Sequence, residues 1–154
     1  MLLNPYRFAA GGLPDVGPHA YWRIRYLNTQ SGAYCSVGEI EMAASTGGAD
    51  QCNGGTAIAS DNAPGGSISN AFNNNPASGW YAYTPPQHIG YVFTAPVTVT
   101  TVRITAENGS LAGAAASPKD FNVEYSDNGT DWSIAASFTG QTGWTTGETR
   151  TFSW

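Results

Sequence analysis

From Tyr21 to Trp154 the apolar residues return at every second position in a series of short runs. In "YWRIRYL" Trp22, Ile24 and Tyr26 share one face, and Arg23 and Arg25 share the other. That is the alternation of a strand with one side buried. "GEIEM" repeats it with Ile40 and Met42 inward and Glu39 and Glu41 opposite. "HIGYVFT" does so with Ile89, Tyr91 and Phe93, and "FNVEYS" with Phe121, Val123 and Tyr125. "VTVTTVRITA" changes phase between Val99 and Val102, which a bulge or a new strand start requires. "TAIAS", "DWSIAASF" and "TRTFSW" complete about eight short strands. "DNGT" (127–130) is a strong hairpin turn, and "SISNAF" has room for one helical turn. Strands this short, separated by Gly, Pro and Asn turns, predict an all-β antiparallel sandwich or jelly roll.

Composition narrows the function. The 154 residues fit one domain, and only 11% are charged against roughly 25% in an average soluble domain. With six Lys+Arg and a net charge of −5, there is no basic patch for nucleic acid or anionic lipid. No apolar run approaches the roughly 20 residues of a membrane helix, so membrane insertion is not expected. The opening "MLLNPYRFAAGGLPDVGPHA" is broken by Asn4, Pro5 and Arg7 and does not read as a signal peptide. Residues 1–19 read as an arm outside the domain, which occupies 20–154. Leu2, Leu3, Tyr6 and Phe8 give the arm a reason to dock. Cys35 and Cys52 form no metal-type pair and read as two free, partly buried thiols, with a disulfide between them not excluded. The sequons at Asn108 and Asn128 read as Asn-Gly turns.

No catalytic constellation stands out. His88 precedes a strand without a nucleophile elbow elsewhere, and Glu39 and Glu41 share one strand face with no second carboxylate cluster opposite. "SNAFNNNPASGW" (69–80) is different, because amides and a hydroxyl alternate closely enough to wrap an ion. A hard cation takes six to eight oxygens from such groups. The other reading is a loop of self-bonded Asx-turns that needs no metal.

"NAFNNNPASGW" resembles the "AFDGNPSTRW" motif of discoidin domains, also called coagulation factor 5/8 type C domains, which family 32 carbohydrate-binding modules share. "SPKDFNVEYSDNGTDWSIAASF" resembles their "RPKDFTVQYSDDGTNWTTV", and "HIGYVFTAPVTVTTVRIT" their "WIQIDLGKPYTISKVVI". "YWRIRYLN…SVGEIEM" resembles the closing "RYVRI…SIAEIEV" of the family. That pair comes last in the family and first here. The resemblance therefore implies a circular permutation, with 44–55 joining the family's two ends.

The resemblance implies a structural Ca²⁺ held by the Asn70 carbonyl, the Asn73 side chain, the Asn75 carbonyl, Ser78, the Gly38 carbonyl and Glu39. The motif's aspartate is Asn73 here, which leaves Glu39 as the only carboxylate. It also implies a non-catalytic ligand site on loops at one end of the sandwich, where aromatics stack on sugar rings. The candidates are Tyr81, Tyr83 and His88 in "GWYAYTPPQH", with Tyr34 and Trp144 from other loops. Trp80, Trp22, Phe121 and Trp132 are expected in the core.

The permuted order and the "MLLNPYRFA" start resemble small virion proteins of tailed bacteriophages. The resemblance implies assembly in the bacterial cytoplasm and a location in the virion. It also implies adhesion to a cell-surface glycan, contacts with other virion proteins through the arm, and a homo-oligomer or multicopy arrangement. The alternatives are a decoration or connector protein without a glycan ligand, and an accessory carbohydrate-binding module of a glycan-degrading enzyme.

Overall fold

The computed structural model describes residues 17–109 and 111–154. The strands are β1 (His19–Thr29), β2 (Cys35–Val37), β3 (Glu39–Ala43), β4 (Thr56–Ala59), β5 (Trp80–Ala82), β6 (Gln87–Val97), β7 (Thr101–Thr105), β8 (Pro118–Ser126), β9 (Ser133–Phe138) and β10 (Thr149–Ser153). They form a five-stranded sheet in the order β4-β6-β1-β8-β9, a three-stranded sheet β10-β7-β3 and a ribbon β2-β5. Every pairing is antiparallel. The expected all-β sandwich is the fold. The two strands beyond the expected eight are β2 and β5, whose three residues are too few for alternation to register.

The period-two pattern sets which side of each strand is dry. Trp22, Ile24 and Tyr26 of β1, Ile40 and Met42 of β3, Ile89 of β6, Ile104 of β7, and Phe121 and Val123 of β8 lie wholly inside one core. The phase change after Val99 is a break between strands. β6 ends at Val97, β7 starts at Thr101, and the chain passes from the larger sheet to the smaller one with Val99 buried on the way. The expected helical turn is a 3-10 turn at Ile68–Phe72.

The 44–55 segment is tied to the small sheet. The Asp50 carboxylate accepts the Met42 N–H at 2.9 Å, and Arg103 pairs with Glu41 while donating to the Gly48 carbonyl at 3.0 Å. His19 opens β1 and stacks on Tyr125 at 4.0 Å, so it belongs to the sandwich and not to the arm. Leu2, Leu3, Tyr6 and Phe8 lie outside the described residues. Among the described residues no helix is long and apolar enough to cross a membrane.

One core assignment is corrected. Trp132 stands half-exposed on the outer face of the five-stranded sheet, where the Arg23 guanidinium lies 3.7 Å above its ring. An indole on the solvent side serves as a platform for a cation that is already paired to Glu124. Cys35 and Cys52 are free and buried, and burial pushes the Cys35 thiol up to about 12.

Gly90 is required where β6 crosses β1. A Cβ there would meet the Trp22 carbonyl oxygen and would come within 2.6 Å of the Arg23 Cβ. Because the obstacle includes backbone, Gly90→Ala is expected to destabilise the domain by about 1–3 kcal/mol in urea unfolding.

Candidate functional site

The ribbon β2-β5 carries a different chemistry at each end. Its register pairs Cys35 with Ala82, Ser36 with Tyr81 and Val37 with Trp80. Alternation sends Trp80 and Ala82 into the core and leaves Tyr81 and Tyr83 on the opposite side. Tyr34, one residue before Cys35, comes opposite Tyr83.

The three rings form one cluster, with centroids 5.4 Å apart for Tyr34 and Tyr81, 6.4 Å for Tyr34 and Tyr83, and 5.8 Å for Tyr81 and Tyr83. Tyr34 is 40% and Tyr83 50% exposed, so the cluster is an open aromatic platform. Local desolvation raises the Tyr81 phenol above its ordinary value, and the neighbouring Tyr34 and Tyr83 phenols add to this. Asp61 holds the ribbon from behind. Its carbonyl accepts the Trp80 indole N–H at 2.8 Å and its Oδ2 accepts the Tyr83 N–H at 3.1 Å. The sequence reading passed over Asp61, because "SDNAPGG" looks like any turn.

At the Val37–Trp80 end the ribbon runs into the oxygen-rich loop. Asn73 Oδ1 accepts the Asn75 N–H at 2.8 Å, and Asn75 Oδ1 accepts the Ala77 N–H at 3.2 Å. The Asn75 carbonyl accepts from the Ser78 N–H and hydroxyl, and the Asn73 amide donates to Ser78 Oγ at 2.9 Å and to Asn70 Oδ1 at 3.5 Å. These are the self-bonded Asx-turns of the metal-free reading.

The second polar stretch nevertheless meets the loop. Glu39 Oε2 accepts the Asn75 N–H at 3.0 Å, and a Cβ on Gly38 would lie 3.1 Å from the Pro76 carbonyl oxygen. Glu39 is 3% exposed, and its Oε1 is buried without a partner among the described residues. An unanswered carboxylate oxygen beside a set of amide, hydroxyl and carbonyl oxygens fits a hard cation of the Ca²⁺ type. Among the described residues no three His, Cys, Asp or Glu side chains converge to hold a metal, so this site would rest on amides and carbonyls.

A further buried carboxylate, also missed in the sequence, organises the neighbouring loop. Glu107 Oε2 accepts the N–H groups of Gly109, Leu111 and Gly113 at 3.1, 3.2 and 2.9 Å. Ser36 in turn donates to the Gly113 carbonyl, so this loop covers the ribbon between its two ends.

Two expected ligand residues are elsewhere. His88 lies on β6 opposite Arg25, and the parity that buries Ile89 and Tyr91 turns it to the outer face of the large sheet. Burial lowers its pKa, helped by the nearby Arg23. Trp144 is only 7% exposed. Its indole N–H donates to the Pro118 carbonyl at 3.1 Å, and Arg150 covers its ring at 4.2 Å, so no face is free for a sugar.

With this geometry in place, the family model of the F5/8 type C domain matches residues 56–154. The chain belongs to the F5/8 type C domain family. No curated protein and no solved structure matches it. F5/8 type C domains are binding domains and generally non-catalytic, which agrees with a site made of an aromatic platform and a polar loop. In this F5/8 type C domain, β1, β2 and β3 precede the matched segment, yet β1 lies between β6 and β8 and β3 lies beside β7.

Burial pushes the Glu39 carboxyl up from 4.5 to about 7, so the folded domain holds this proton more tightly than the unfolded chain. The stability it contributes is complete below about pH 4.5 and is lost as pH rises to about 7. In the presence of chelator the melting temperature should fall across that window, and Glu39→Gln should flatten this part of the profile.

Proposed function

We propose that this domain is a non-catalytic glycan-binding module of a tailed-phage virion, with Tyr34, Tyr81 and Tyr83 as its contact surface. The observation that carries the reading is the exposed three-ring cluster on a ribbon whose other face is locked into the core. Rings held in this way lose little freedom on binding and present flat apolar faces to the C–H side of a pyranose. The Asp61 carboxylate, fixed by the Tyr83 N–H, lies at the back of the platform with acceptor capacity for a sugar hydroxyl. Glu39, Gly38, Asn70, Asn73, Asn75 and Ser78 would hold a Ca²⁺ ion. The ion would supply fixed positive charge that ties β3 to the loop before β5, a structural role.

The proposal includes a virion location, many copies per particle, and contacts to neighbouring virion proteins through the N-terminal arm. The low charge content, the acidic balance and the resemblance of the opening residues support that placement. A second reading, a connector without a glycan ligand, draws on Leu27 and Ile134. Both are exposed aliphatic side chains on the outer face of the large sheet.

We also infer that the chain is circularly permuted. The family match begins at β4, and of the strands before it β1 fills an interior place in the larger sheet while β3 forms the edge of the smaller sheet beside β7. His19 pairs with Val97 and the Trp154 N–H donates to the Thr100 carbonyl at 3.1 Å, so the two ends of the domain meet at one crossover. Trp22 and Trp154 lie 6.4 Å apart ring to ring. A rearranged chain that starts at Thr56, joins Trp154 to Tyr21 through a short Gly/Ser linker and stops at Ala43 should fold with the same circular dichroism spectrum. An unfolded product would count against the permutation.

Glycan-array binding followed by titration calorimetry tests the function. Tyr83→Ala and Tyr81→Ala should each weaken the sugar that binds by about tenfold while leaving the melting temperature unchanged. Binding that survives the loss of both rings, or an array with no positive glycan, would favour the connector reading.

A further inference from the structure

The chain contains three Asn-Gly pairs, Asn53-Gly54, Asn108-Gly109 and Asn128-Gly129. Such a pair carries an intrinsic reaction. The glycine amide nitrogen attacks the asparagine Cγ, ammonia leaves, and a five-membered succinimide forms. Water then adds to either imide carbonyl and breaks one ring C–N bond, giving aspartate or, with the backbone rerouted through the side chain, isoaspartate. Glycine favours the attack because no side chain shields its nitrogen. The reaction needs the glycine N–H unengaged and the asparagine side chain free to turn onto it.

The fold treats the three pairs differently. At Asn128, Oδ1 accepts from the Thr130 N–H, the Thr130 hydroxyl and the Asp131 N–H, each at 2.9 Å, and Nδ2 donates to Asp131 Oδ2 at 2.7 Å. The attacking group is engaged as well, because the Gly129 N–H donates to Ser126 Oγ at 2.9 Å. At Asn108 the side-chain amide donates to the Ala77 carbonyl at 3.0 Å, and the Gly109 N–H donates to the buried Glu107 carboxylate at 3.1 Å. Asn53 and Gly54 are both exposed, and the Gly54 N–H has no acceptor among the described residues. The Asn53 amide makes one long contact, 3.4 Å to the Gln51 carbonyl. A Cβ built on Gly54 meets nothing within 4 Å, so the space around the attacking nitrogen is open.

We propose that Asn53 is a spontaneous modification site of the folded protein, converting to aspartate and isoaspartate through a succinimide with Gly54, while the fold protects Asn108 and Asn128. The product places a new carboxylate beside Asp50, in the wall of a shallow cavity of about 290 Å³ that also touches Phe93 and Val97. Isoaspartate also lengthens the main chain between two fixed points. One is the buried Cys52, whose N–H bonds Asp50 at 3.1 Å, and the other is the Gly55 N–H, which bonds the Tyr91 hydroxyl at 2.9 Å. The change therefore falls within the connection between β3 and β4, far in sequence from the tyrosine platform.

The test is peptide mapping by mass spectrometry of the full chain incubated at mildly alkaline pH, once folded and once in denaturant. In the folded protein Asn53 should convert to both products. Asn108 and Asn128 should lag by about tenfold or more, the factor imposed by opening one hydrogen bond to a charged acceptor. In denaturant the three sites should converge. Conversion of Asn108 or Asn128 at the rate of Asn53 in the folded chain would overturn the proposal. So would the same ranking in denaturant, because the preference would then not come from the fold.

Discussion

The structure depends on one strand being dry on one side and bonded on both edges. β1 is the middle of the five-stranded sheet, paired with β6 and β8 over most of its length. Its inner row of Trp22, Ile24 and Tyr26 is wholly buried. A shift of its register by one residue would bring Arg23 and Arg25 inside and expose the indole, a change that costs far more than any turn can return. The outer row is fixed by the same parity. Arg23 pairs with Glu124 on β8 and lies over Trp132, so charge and aromatic surface cover the sheet where water meets it. Gly90 lets β6 come close enough to make this row continuous.

What could be read from the chain follows from that constraint. Parity is local, so the inward rows of β1, β3, β6 and β8 are legible in the sequence, and the sandwich follows from them. The same rule held the correct position of His88, since a residue preceding the buried Ile89 in a strand must face outward. Placing His88 just ahead of the strand hid this, because β6 begins earlier, at Gln87. Trp144 was not legible at all. It stands among turn residues, and its burial comes from the Pro118 carbonyl 26 positions away and from Arg150 closing over it. Trp132 looked like core because it borders a strand, but its partner is a cation on the outer face. Asp61 and Glu107 give no sequence signal, because their roles are set by which backbone N–H groups fold around them.

The meeting of the two polar stretches was legible in part. The resemblance brought Glu39 to the Asn70–Ser78 loop, and the contact between Glu39 and the Asn75 N–H is present. Replacement of the motif's aspartate by Asn73 has a physical consequence. An amide can donate as well as accept, and Asn73 uses Nδ2 toward Ser78 and Oδ1 toward Asn75. The loop can therefore satisfy itself without an ion in a way an aspartate could not. Beside the loop, Glu39 Oε1 is buried and has no partner among the described residues. The loop thus has one source of order in its own Asx-turns. The proposed cation would add a second, acting most strongly when Glu39 is ionised.

The two ends of the β2-β5 ribbon are mechanically connected. Tyr81 stands in the middle of the ribbon's three residue pairs and Tyr34 and Tyr83 just beyond the pair farthest from the oxygen loop, a span of about 10 Å at the usual rise of a strand. Gly79, directly before β5, has its carbonyl bonded by the Ser67 N–H and the Asn70 amide, and a Cβ there would press on the Glu107 side chain at 3.3 Å. Trp80 then fills the core and is held by Asp61, which also fixes the Tyr83 N–H. The Asn73–Ser78 loop runs directly into Gly79, so order in the loop bears on where β5 begins. An ion bound at Glu39 would act on the platform by limiting the motion of the strand that carries it, without touching the ligand. Such coupling would run through shared order and not through contact. On the proposed function, the polar loop would then bear on binding although none of its side chains belongs to the aromatic surface.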